Sequence, residues 1–439
     1  MRGALLQALY SLLWRIATPF LLWRIWRRAR REPVYGVFPA ERFGFYGNSK
    51  AAPARAGFRA APVWVHAVSL GETRAAQPLI RALLNRGLPV LLTHMTATGR
   101  TEGARLFEQD IAQGRLRQAW LPYDMPGAVS RFYRYFAPRC GLLIETEVWP
   151  NLVAGARRYG VPLGLVSARL SAASARKTLR VASLARRTYS RLDAVLAQTQ
   201  ADADRLRTVG ARDPLVVGNL KFDLQLPHDL VQAGTTWRQR LGRPVIAWAS
   251  TREGEEEAIL AAMREMPRTQ AGIAPLAVLI PRHPQRFDDV AAMVEAAGLS
   301  MRRRSGMAGM PFASVEPQVA VLLGDSLGEM PFYYAASDVA IVAGSFAPLG
   351  GQNLIEACAC GVPVIVGPHT FNFAQASEDA IEAGAALRAD SAQAAWRLAL
   401  ELIDDDARRD AMREATARFS ATHTGATQRV IRAMNGWLA

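Results

Sequence analysis

Cysteine is scarce in this chain: the 439 residues include only Cys140, Cys358 and Cys360. Three cysteines cannot all pair. The C-x-C spacing of Cys358 and Cys360 lies in an apolar helical pattern and lacks the two separated C-x-x-C pairs of a zinc site. These features exclude a disulfide-stabilised mini-protein and disfavour structural zinc. We therefore expect three reduced, buried thiols in a cytosolic protein.

Lysine is also nearly absent, since Lys50, Lys177 and Lys221 are the only ones and arginine supplies the remaining positive charge. The net charge of +15 ordinarily indicates nucleic acid or an anionic membrane as a partner. Residues 1–60 carry nine of these net charges, and no aromatic-basic motif of a nucleic-acid module occurs. The charge distribution therefore favours a membrane surface and predicts no nucleic-acid partner.

The chain lacks an uninterrupted apolar run that would cross a bilayer undisturbed. Residues 3–26 are apolar and aromatic, but Arg15 and Pro19 interrupt them. On a helix, the polar residues of this segment form one stripe, which consists of Gln7, Ser11, Arg15 and Thr18. Its aromatic residues are of the type that anchors at membrane interfaces, namely Trp14, Phe20, Trp23 and Trp26. We predict that residues 1–33 form a membrane-anchor helix with a basic cluster, lying in the membrane plane in preference to spanning it. The alternative is a buried core helix with a basic tail.

Four arginines, Arg27, Arg28, Arg30 and Arg31, follow this segment. No small-residue cleavage site precedes them, which argues against a secretory signal. A basic cluster beside a membrane helix attracts anionic lipid and stays on the cytoplasmic side. We therefore expect the body of the protein on the cytoplasmic side of a membrane.

Beyond residue 33, short apolar runs alternate with helical patterns, as in stacked β–α units. Most runs lack strict apolar–polar alternation, which is typical of parallel strands covered on both faces. The predicted strands are 63–68, 90–93, 119–121, 140–145, 163–167, 194–197 and 215–217, then 245–249, 276–281, 319–323, 339–343, 362–366 and 385–387. We predict two Rossmann-like, doubly wound α/β domains, residues 34–224 and 225–439. The linker is expected within 221–244, and the active site in the cleft between the domains.

Ligands of doubly wound sheets bind beyond the carboxyl ends of the strands. Glu72 follows the first predicted strand, in the turn S-L-G-E-T at 69–73, before a helix expected to begin near Arg74. A carboxylate here serves either as a general base for a substrate hydroxyl or as an acid that complements a helix N-terminus. The pattern alone leaves both interpretations open.

Two further acids, Glu145 and Glu147, follow the predicted strand 140–145 together with Trp149. An indole ring covers a sugar face while carboxylates accept its hydroxyls, so this combination is typical of carbohydrate contact. A helix start with Pro150 in its first turn explains the same residues structurally.

In the second half, polar residues again follow predicted strands. The pair Ser250 and Thr251 follows 245–249, and the cluster Arg282, His283 and Arg286 follows 276–281. The cluster suits a phosphate or a nucleobase edge. Solvated surface arginines are the alternative.

A glycine-rich turn, G-S-F-A-P-L-G-G-Q-N-L-I-E-A at 344–357, follows the predicted strand 339–343. We predict a helix that begins at Gly351 or Gln352, whose backbone N–H groups hold a diphosphate or phosphodiester oxygen. We also predict that the carboxylate of Glu356, in the first turn of this helix, accepts hydrogen bonds from the hydroxyls of a ribose. The turn lacks the Gly-Lys-Ser/Thr of a P-loop and the G-x-G-x-x-G with a distal acid. The pattern favours a nucleotide-sugar site over a capped helix packed by its glycines.

Taken together, the motifs resemble the membrane-associated 3-deoxy-D-manno-octulosonic acid (Kdo) transferases of lipopolysaccharide synthesis. The similarity runs from about Tyr35 to the carboxyl terminus. The matching strings are H-A-V-S-L-G-E (66–72), L-P-Y-D (121–124), E-T-E-V-W-P-N (145–151), S-A-R-L-S (167–171), G-N-L-K-F-D (218–223), P-R-H-P-Q-R-F (281–287), L-G-D-S-L-G-E-M (323–330) and the glycine-rich stretch from Gly344.

This resemblance implies a GT-B glycosyltransferase fold and inverting transfer of Kdo from CMP-Kdo to the lipid A precursor, without a cofactor or an obligatory metal. It implies the inner membrane, at its cytoplasmic face, as the location. By this resemblance, Glu72 is the general base, and Glu145 and Glu147 line the acceptor cleft. The residues that the resemblance implies for binding the donor nucleotide are Ser250, Thr251, Arg282, His283, Arg286, Gly350, Gly351, Gln352, Asn353 and Glu356. Arg252 departs from the family pattern, in which other members carry His.

Other functions fit the same two-domain frame. Another GT-B glycosyltransferase of envelope synthesis, such as one using UDP sugars, and a sugar-nucleotide epimerase would both reuse the ribose contact of Glu356. An epimerase does not require a lipid-surface helix. A membrane-bound sensor without turnover is a third alternative, disfavoured by the intact Glu72.

Overall fold

The computed structural model describes residues 2–47, 58–224 and 226–438, so that Lys50 lies outside the described residues. The chain forms two compact units. Unit 1 comprises Met1–Leu224 with Thr424–Ala439, and unit 2 comprises Gln225–His423. The last part of the chain therefore returns to unit 1, which corrects the prediction of a second domain extending to residue 439.

Unit 1 is built on a parallel seven-stranded sheet. Its strands are β1 (Val63–His66), β2 (Val90–His94), β3 (Leu116–Trp120), β4 (Cys140–Ile144), β5 (Leu163–Ala168), β6 (Ala194–Ala197) and β7 (Leu215–Val216). They lie in the order β3-β2-β1-β4-β5-β6-β7. The direction of winding reverses between β1 and β4, and such a switch point is where open α/β sheets bind ligands.

Helices connect and cover these strands. They are α1 (Arg2–Ile16), α2 (Thr18–Ala29), α3 (Leu70–Asn85), α4 (Ala97–Leu106), α5 (Glu108–Ala112), α6 (Pro126–Phe136), α7 (Pro150–Arg158), α8 (Ala172–Leu179), α9 (Ala182–Tyr189) and α10 (Gln200–Thr208). Every residue of β1, β2 and β4 is buried. This two-sided burial accounts for the continuous apolar runs in the sequence.

The core of unit 1 is aromatic on one side of the sheet. Trp64 is fully buried and packs edge-on against Phe132, with ring centroids 4.8 Å apart. A Cβ on Gly141 of β4 would lie 2.5 Å from Trp64 Cε3. The neighbouring strand therefore needs glycine at this position to accommodate the indole ring. The three cysteines are free; Cys140 and Cys358 are buried as expected, whereas Cys360 is only half-buried.

The amino-terminal segment forms two helices where one was expected. Helices α1 and α2 meet at Ala17 with a bend of 51°, and Pro19 lies in the first turn of α2. Proline has no N–H to continue the preceding helix, which accounts for the break. Within the described residues, no single helix has both the length and the apolar character of a membrane span; α1 and α2 meet these criteria only as a bent pair.

Unit 2 contains a second parallel sheet. Its strands are β8 (Val245–Thr251), β9 (Leu276–Pro281), β10 (Met301–Arg303), β11 (Val321–Leu323), β12 (Val339–Val342), β13 (Val364–Val366) and β14 (Ala386–Arg388). Their order is β10-β11-β9-β8-β12-β13-β14. The switch point lies between β8 and β12. The two sheets confirm the predicted pair of Rossmann-like domains.

The helices of unit 2 are α11 (His228–Leu241), α12 (Glu256–Glu265), α13 (Phe287–Ala296), α14 (Met330–Ala335), α15 (Ile355–Ala359), α16 (Ala374–Glu382), α17 (Ala392–Asp404) and α18 (Asp406–His423). Helix α11 occupies most of the stretch expected to be a linker. Its Trp237 is buried against Phe332 of α14, with ring centroids 5.8 Å apart. This stretch is therefore part of the packed unit 2.

The chain ends with helices α19 (Ala426–Ala433) and α20 (Asn435–Leu438), which pack on unit 1. Asp223 accepts hydrogen bonds from the backbone N–H groups of Gly425 (2.6 Å), Ala426 (3.2 Å) and Thr427. A carboxylate at a helix N-terminus satisfies N–H groups that have no partner within the helix. This contact fixes the carboxyl-terminal helices to the end of the first stretch of unit 1.

Candidate active site

Glu72 lies at the switch point of unit 1, beyond the carboxyl end of β1. Helix α3 begins at Leu70, four residues earlier than expected, because Ser69 and Glu72 form a capping box at its start. The N–H groups of Val68 and Ser69 donate to Glu72 Oε2 at 2.5 and 3.3 Å. Within the described part of the chain, Oε1 has no hydrogen-bond partner, so one carboxylate oxygen is held and the other is left for a ligand.

The pKa of Glu72 is raised from 4.5 to about 7, chiefly because the carboxyl is largely buried. The nearby carboxylates of Glu145 and Glu147 raise the pKa further, against the effect of the two N–H contacts. These two acids follow β4, the strand beside β1 in the sheet. The structure therefore brings together, within unit 1, the three acids that the sequence predicts for catalysis and acceptor binding.

Glu145 is held in a strained conformation at the end of β4. Its φ is +60°, a value that non-glycine residues rarely adopt and that is concentrated at functional sites. Its Oε1 forms a 2.7 Å ion pair with Lys221 Nζ. The rule that ligands bind beyond strand ends does not indicate Lys221 as a site residue. Its scarcity as one of three lysines and its place in the G-N-L-K-F-D string were the available signals.

Glu147 is held by its own loop. Trp149 Nε1 donates to Glu147 Oε2 at 2.8 Å, and Thr146 Oγ1 donates to Oε1 at 3.3 Å. Burial raises the pKa of Glu147, and the neighbouring Glu145 adds to this effect. The indole expected to cover a sugar face therefore also orients Glu147, one of the two carboxylates predicted for the acceptor cleft.

The amino-terminal helix contacts the same loop. Trp14 of α1 stacks on Trp149 with ring centroids 6.0 Å apart and on Tyr123 at 5.7 Å. Gln7 Nε2 and Ser11 Oγ donate to Asn151 Oδ1 at 3.3 and 3.1 Å. Gln7 and Ser11 of the predicted polar stripe thus face the protein, whereas Arg15 is exposed. Trp14 is half-buried against unit 1, unlike the exposed Trp23 and Trp26.

In unit 2, Ser250 and Thr251 lie at the end of β8. Ser250 has a φ of +61°, and the pairing of β8 with β9 shifts register at this point. Such a bulge redirects the side chains at a strand end. Thr251 is buried and Ser250 is half-buried.

Glu255 is an organising residue that the sequence pattern alone does not indicate. Its buried carboxylate accepts from the N–H groups of Arg252 (3.0 Å), Gly344 (2.7 Å), Phe346 (2.9 Å) and Ala347 (3.3 Å). One side chain therefore joins the turn after β8 to the glycine-rich turn after β12. The acidic run 255–257 was visible in the sequence, but its tertiary partners were not.

The basic cluster follows β9. Arg286 forms a 3.1 Å ion pair with the buried Glu256, so its guanidinium is partly neutralised. Burial and the nearby charges of Arg252, Arg282 and Arg286 lower the pKa of His283. The structure thus brings Arg252 into the predicted cluster and leaves it net positive at the carboxyl end of β9.

The glycine-rich turn differs from the sequence prediction. Helix α15 begins at Ile355, so Gly350, Gly351, Gln352 and Asn353 precede the helix and do not open it. Gly350 and Gly351 have φ values of +90° and +77°, which interrupt a right-handed helix. Glu356 is half-buried in the first turn of α15.

This turn is fixed from both sides by backbone contacts. Gly351 N–H donates to the Gly344 carbonyl oxygen at 2.7 Å, and Asn372 N–H donates to the Gly350 carbonyl oxygen at 2.9 Å. Asn372 Nδ2 also donates to the Leu349 carbonyl oxygen at 3.0 Å. A Cβ on Gly350 would lie 2.4 Å from Asn372 Nδ2. The turn after β13 therefore packs directly on the glycine-rich turn after β12.

The residues that the sequence predicts for the donor nucleotide lie beyond the carboxyl ends of β8, β9 and β12, which are neighbouring strands of the sheet of unit 2. Among the described residues, no group of three or more His, Cys, Asp or Glu side chains is arranged to hold a metal ion. The site chemistry available on these residues is hydrogen bonding, positive charge and carboxylate basicity.

Comparisons with known proteins agree with this geometry. Residues 39–224 match the family described as 3-Deoxy-D-manno-octulosonic-acid transferase (kdotransferase), and residues 312–419 match Glycosyl transferases group 1. The chain is 56% identical over 434 residues to the 3-deoxy-D-manno-octulosonic acid transferase of Bordetella pertussis, covering 98% of this chain and 99% of that protein.

A second relative, the 3-deoxy-D-manno-octulosonic acid transferase of Haemophilus influenzae, is 32% identical over 438 residues. The alignment covers 98% of this chain and 98% of that protein. A solved glycosyltransferase structure from Rickettsia africae, 10% identical, matches with a TM-score of 0.55 over 87% of this chain and 99% of its own length, which shows a shared fold. The chain therefore belongs to the Kdo transferase family and is a GT-B glycosyltransferase of lipopolysaccharide synthesis.

Proposed function

We propose that this enzyme transfers Kdo from CMP-Kdo to a hydroxyl of the tetraacylated lipid A precursor, with inversion at the anomeric carbon and with Glu72 as general base. The observation that carries the proposal is the carboxyl of Glu72 at the carboxyl end of β1, with a pKa of about 7. A base with a pKa near the working pH combines a useful ionised fraction with sufficient basicity. Glu145 and Glu147 are assigned to the acceptor side.

In the proposed step, the acceptor oxygen attacks the anomeric carbon while Glu72 Oε1 removes its proton. The bond from that carbon to the phosphate oxygen breaks, and CMP leaves with the bonding electron pair. Contacts of Val68 and Ser69 with Oε2 keep the carboxylate in one orientation, which lowers the entropic cost of reaching the reactive geometry. CMP-Kdo and the acceptor are the only reactants that this step requires.

We assign CMP-Kdo to unit 2. Arg282, His283 and Arg286 supply positive charge for the phosphate as it leaves. The N–H groups near Gly350 to Asn353 and the hydroxyls of Ser250 and Thr251 supply hydrogen bonds, and Glu356 accepts from the ribose. Arg252 adds charge to the same cluster, since it lies close enough to lower the pKa of His283.

The amphiphilic acceptor gives the amino-terminal helices a purpose: they hold the enzyme at the cytoplasmic face of the inner membrane. Apolar side chains on α1 and α2 are exposed, among them Leu9 (51%), Leu13 (57%), Phe20 (58%) and Trp23 (47%). Exposed apolar and tryptophan side chains followed by arginines are typical of attachment to an anionic bilayer surface. Substituting these four residues by Gln is expected to move the protein from the membrane to the soluble fraction; unchanged fractionation would contradict the attachment.

The reaction is tested by incubating the purified full chain with CMP-Kdo and the tetraacyl lipid A precursor in neutral detergent. We expect a mass gain of whole Kdo units on the lipid and a matching release of CMP. The mass also reads out how many units are added. The Glu72→Gln variant is expected to bind CMP and to leave the lipid unmodified.

Inhibition by nucleotides separates this reaction from its alternatives. CMP is expected to compete with the donor, and UDP is not. Inhibition by UDP without inhibition by CMP would overturn the donor assignment and favour a UDP-sugar enzyme. Saturable CMP binding without a lipid product would instead indicate a different acceptor.

A further inference from the structure

A second charged site lies in unit 1, away from Glu72. It is an open cavity of about 690 Å³ whose lining includes five arginines: Arg157, Arg158, Arg187, Arg191 and Arg212. Its other lining residues are Ala154 and Ser190. We call it the arginine cavity. Guanidinium groups bind phosphate oxygens through paired N–H donors, so the lining suits a phosphate ester.

Among the residues that the structure describes, no carboxylate neutralises the positive charge of the arginine cavity. In the described residues, none of its five arginines forms an ion pair with a carboxylate. Burial, followed by repulsion from Arg187 and Arg157, lowers the pKa of Arg191. Like charges held this close without a counter-charge are unfavourable for the free protein, and an anionic ligand would relieve the repulsion.

Helix termini account for only part of this arrangement. Arg157 and Arg158 lie in the last turn of α7, and Arg187 lies in the last turn of α9, where a basic residue complements the helix dipole. The dipole explains one favourable charge at each helix end. It does not explain why two helix ends and Arg212, in the connection between α10 and β7, converge on one cavity.

The arginine cavity adjoins the apolar amino-terminal helix. Arg187 Nε donates to Gln7 Oε1 of α1 at 3.1 Å, and a Cβ on Gly3 would lie 3.3 Å from Arg187 Cδ. The next residues of α1 expose apolar side chains, with Leu5 73% exposed. Arginines beside exposed apolar side chains match a phospholipid, whose phosphate lies next to its acyl chains.

We propose that the arginine cavity binds the phosphate of an anionic phospholipid and thereby orients unit 1 on the bilayer. The inference rests on the proposed membrane attachment. Arg187 lies nearer the loop of Glu147, because Gln7 joins it to Asn151 at the start of α7. The acceptor is nevertheless a less suitable occupant of the remaining cavity, because Arg157 and Arg158 lie at the end of α7 opposite Glu147. Helix α7 has nine residues, so its two ends lie about 13 Å apart along the helix axis.

The test measures binding of the full chain to phosphatidylcholine vesicles containing increasing fractions of phosphatidylglycerol, at low ionic strength. The cavity variant combines Arg157→Gln, Arg158→Gln and Arg212→Gln, all at exposed positions. The control variant removes the same charge from unit 2 through Arg240→Gln, Arg264→Gln and Arg302→Gln, which are also exposed. The two variants therefore have equal net charge.

We expect wild-type and control proteins to bind more tightly as phosphatidylglycerol increases. The cavity variant is expected to lose about fivefold per arginine, on the order of 100-fold in all, at high phosphatidylglycerol fractions. Turnover in neutral detergent should be equal for the three proteins. Thermal unfolding shows whether the variants are folded, and the single variant Arg212→Gln, outside any helix, should show a smaller loss of the same kind.

Three results would overturn the inference while leaving Kdo transfer intact. Equal losses in cavity and control variants would indicate diffuse attraction. Saturable binding of inorganic phosphate that only the cavity variant loses, with unchanged vesicle binding, would indicate a soluble phosphate ligand. A selective loss of turnover by the cavity variant in neutral detergent would indicate an acceptor contact. Failure of the wild type to bind any vesicle would instead contradict the proposed attachment.

Discussion

At the residue scale, the two roles that the sequence leaves open for Glu72 do not exclude each other. Glu72 completes the capping box of α3, and its pKa of about 7 suits a base. We expect Glu72→Gln to lower kcat by about two to four powers of ten. The wild-type kcat/KM should rise with pH through about 7, because only the ionised carboxylate accepts a proton. An unchanged profile in an active Glu72→Gln enzyme would exclude this base.

The same carboxyl predicts a pH-dependent change in stability. Its pKa is raised from 4.5 to about 7 on folding, so its contribution is fully present below 4.5 and is lost as the pH rises through 7. Glutamine keeps an oxygen acceptor for the cap but cannot ionise. Relative to wild type, Glu72→Gln should therefore gain about 1–3 kcal/mol in the free energy of unfolding between about pH 4 and pH 8. Urea titrations at both pH values measure this; a difference independent of pH would contradict it.

At the element scale, helix α1 packs on the loop that carries Glu147, one of the two acids proposed to contact the acceptor. Trp14 stacks on Trp149, and Trp149 donates to Glu147. Trp14→Ala should therefore reduce turnover severalfold in neutral detergent, where membrane attachment plays no part, because the indole that holds Glu147 loses its support. Trp23→Ala is the matched control, since Trp23 is an exposed residue of α2. Equal turnover in the two variants would restrict α1 to attachment.

Most strands could be predicted from the sequence, because two-sided burial produces apolar runs that stand out. The exception is β10, a three-residue strand with the sequence Met-Arg-Arg at the edge of the second sheet. The positions of helix starts are predicted less accurately from the sequence than the strands. The capping box at Ser69 was encoded locally and overlooked, whereas the start of α15 at Ile355 depends on the positive φ values of Gly350 and Gly351, which the packing of the turn after β13 enforces.

The residues of the candidate site also fall into two groups: those that the sequence predicts and those that only the folded chain reveals. Residues at strand ends, such as Glu72 and Arg286, follow from the rule that ligands bind beyond the carboxyl ends of parallel strands. Lys221 and Glu255 could not be found by that rule. Their importance lies in an ion pair and in backbone contacts to segments distant in sequence, which only the folded chain brings together.

At the scale of the whole molecule, the chain crosses from unit 1 to unit 2 and returns to unit 1 at Thr424. Asp223, the acid that ends the G-N-L-K-F-D string, holds the returning segment through three backbone N–H groups. The carboxyl-terminal helices fill part of the core of unit 1, where Val430 and Ile431 are buried. The return therefore contributes to the stability of the unit that carries Glu72.

Removing the Asp223 carboxylate should consequently weaken unit 1. Asp223→Ala is expected to cost about 1–2 kcal/mol in the free energy of unfolding, because the N–H groups at the start of α19 lose their acceptor. Limited proteolysis should then cut more rapidly near Thr424. Asp213→Asn, at an exposed position of the same unit, controls for the lost charge and should leave both measurements unchanged. If Asp223→Ala unfolds and is cleaved like wild type, the returning helices are held by apolar packing alone, and the conspicuous aspartate of this string requires a different explanation.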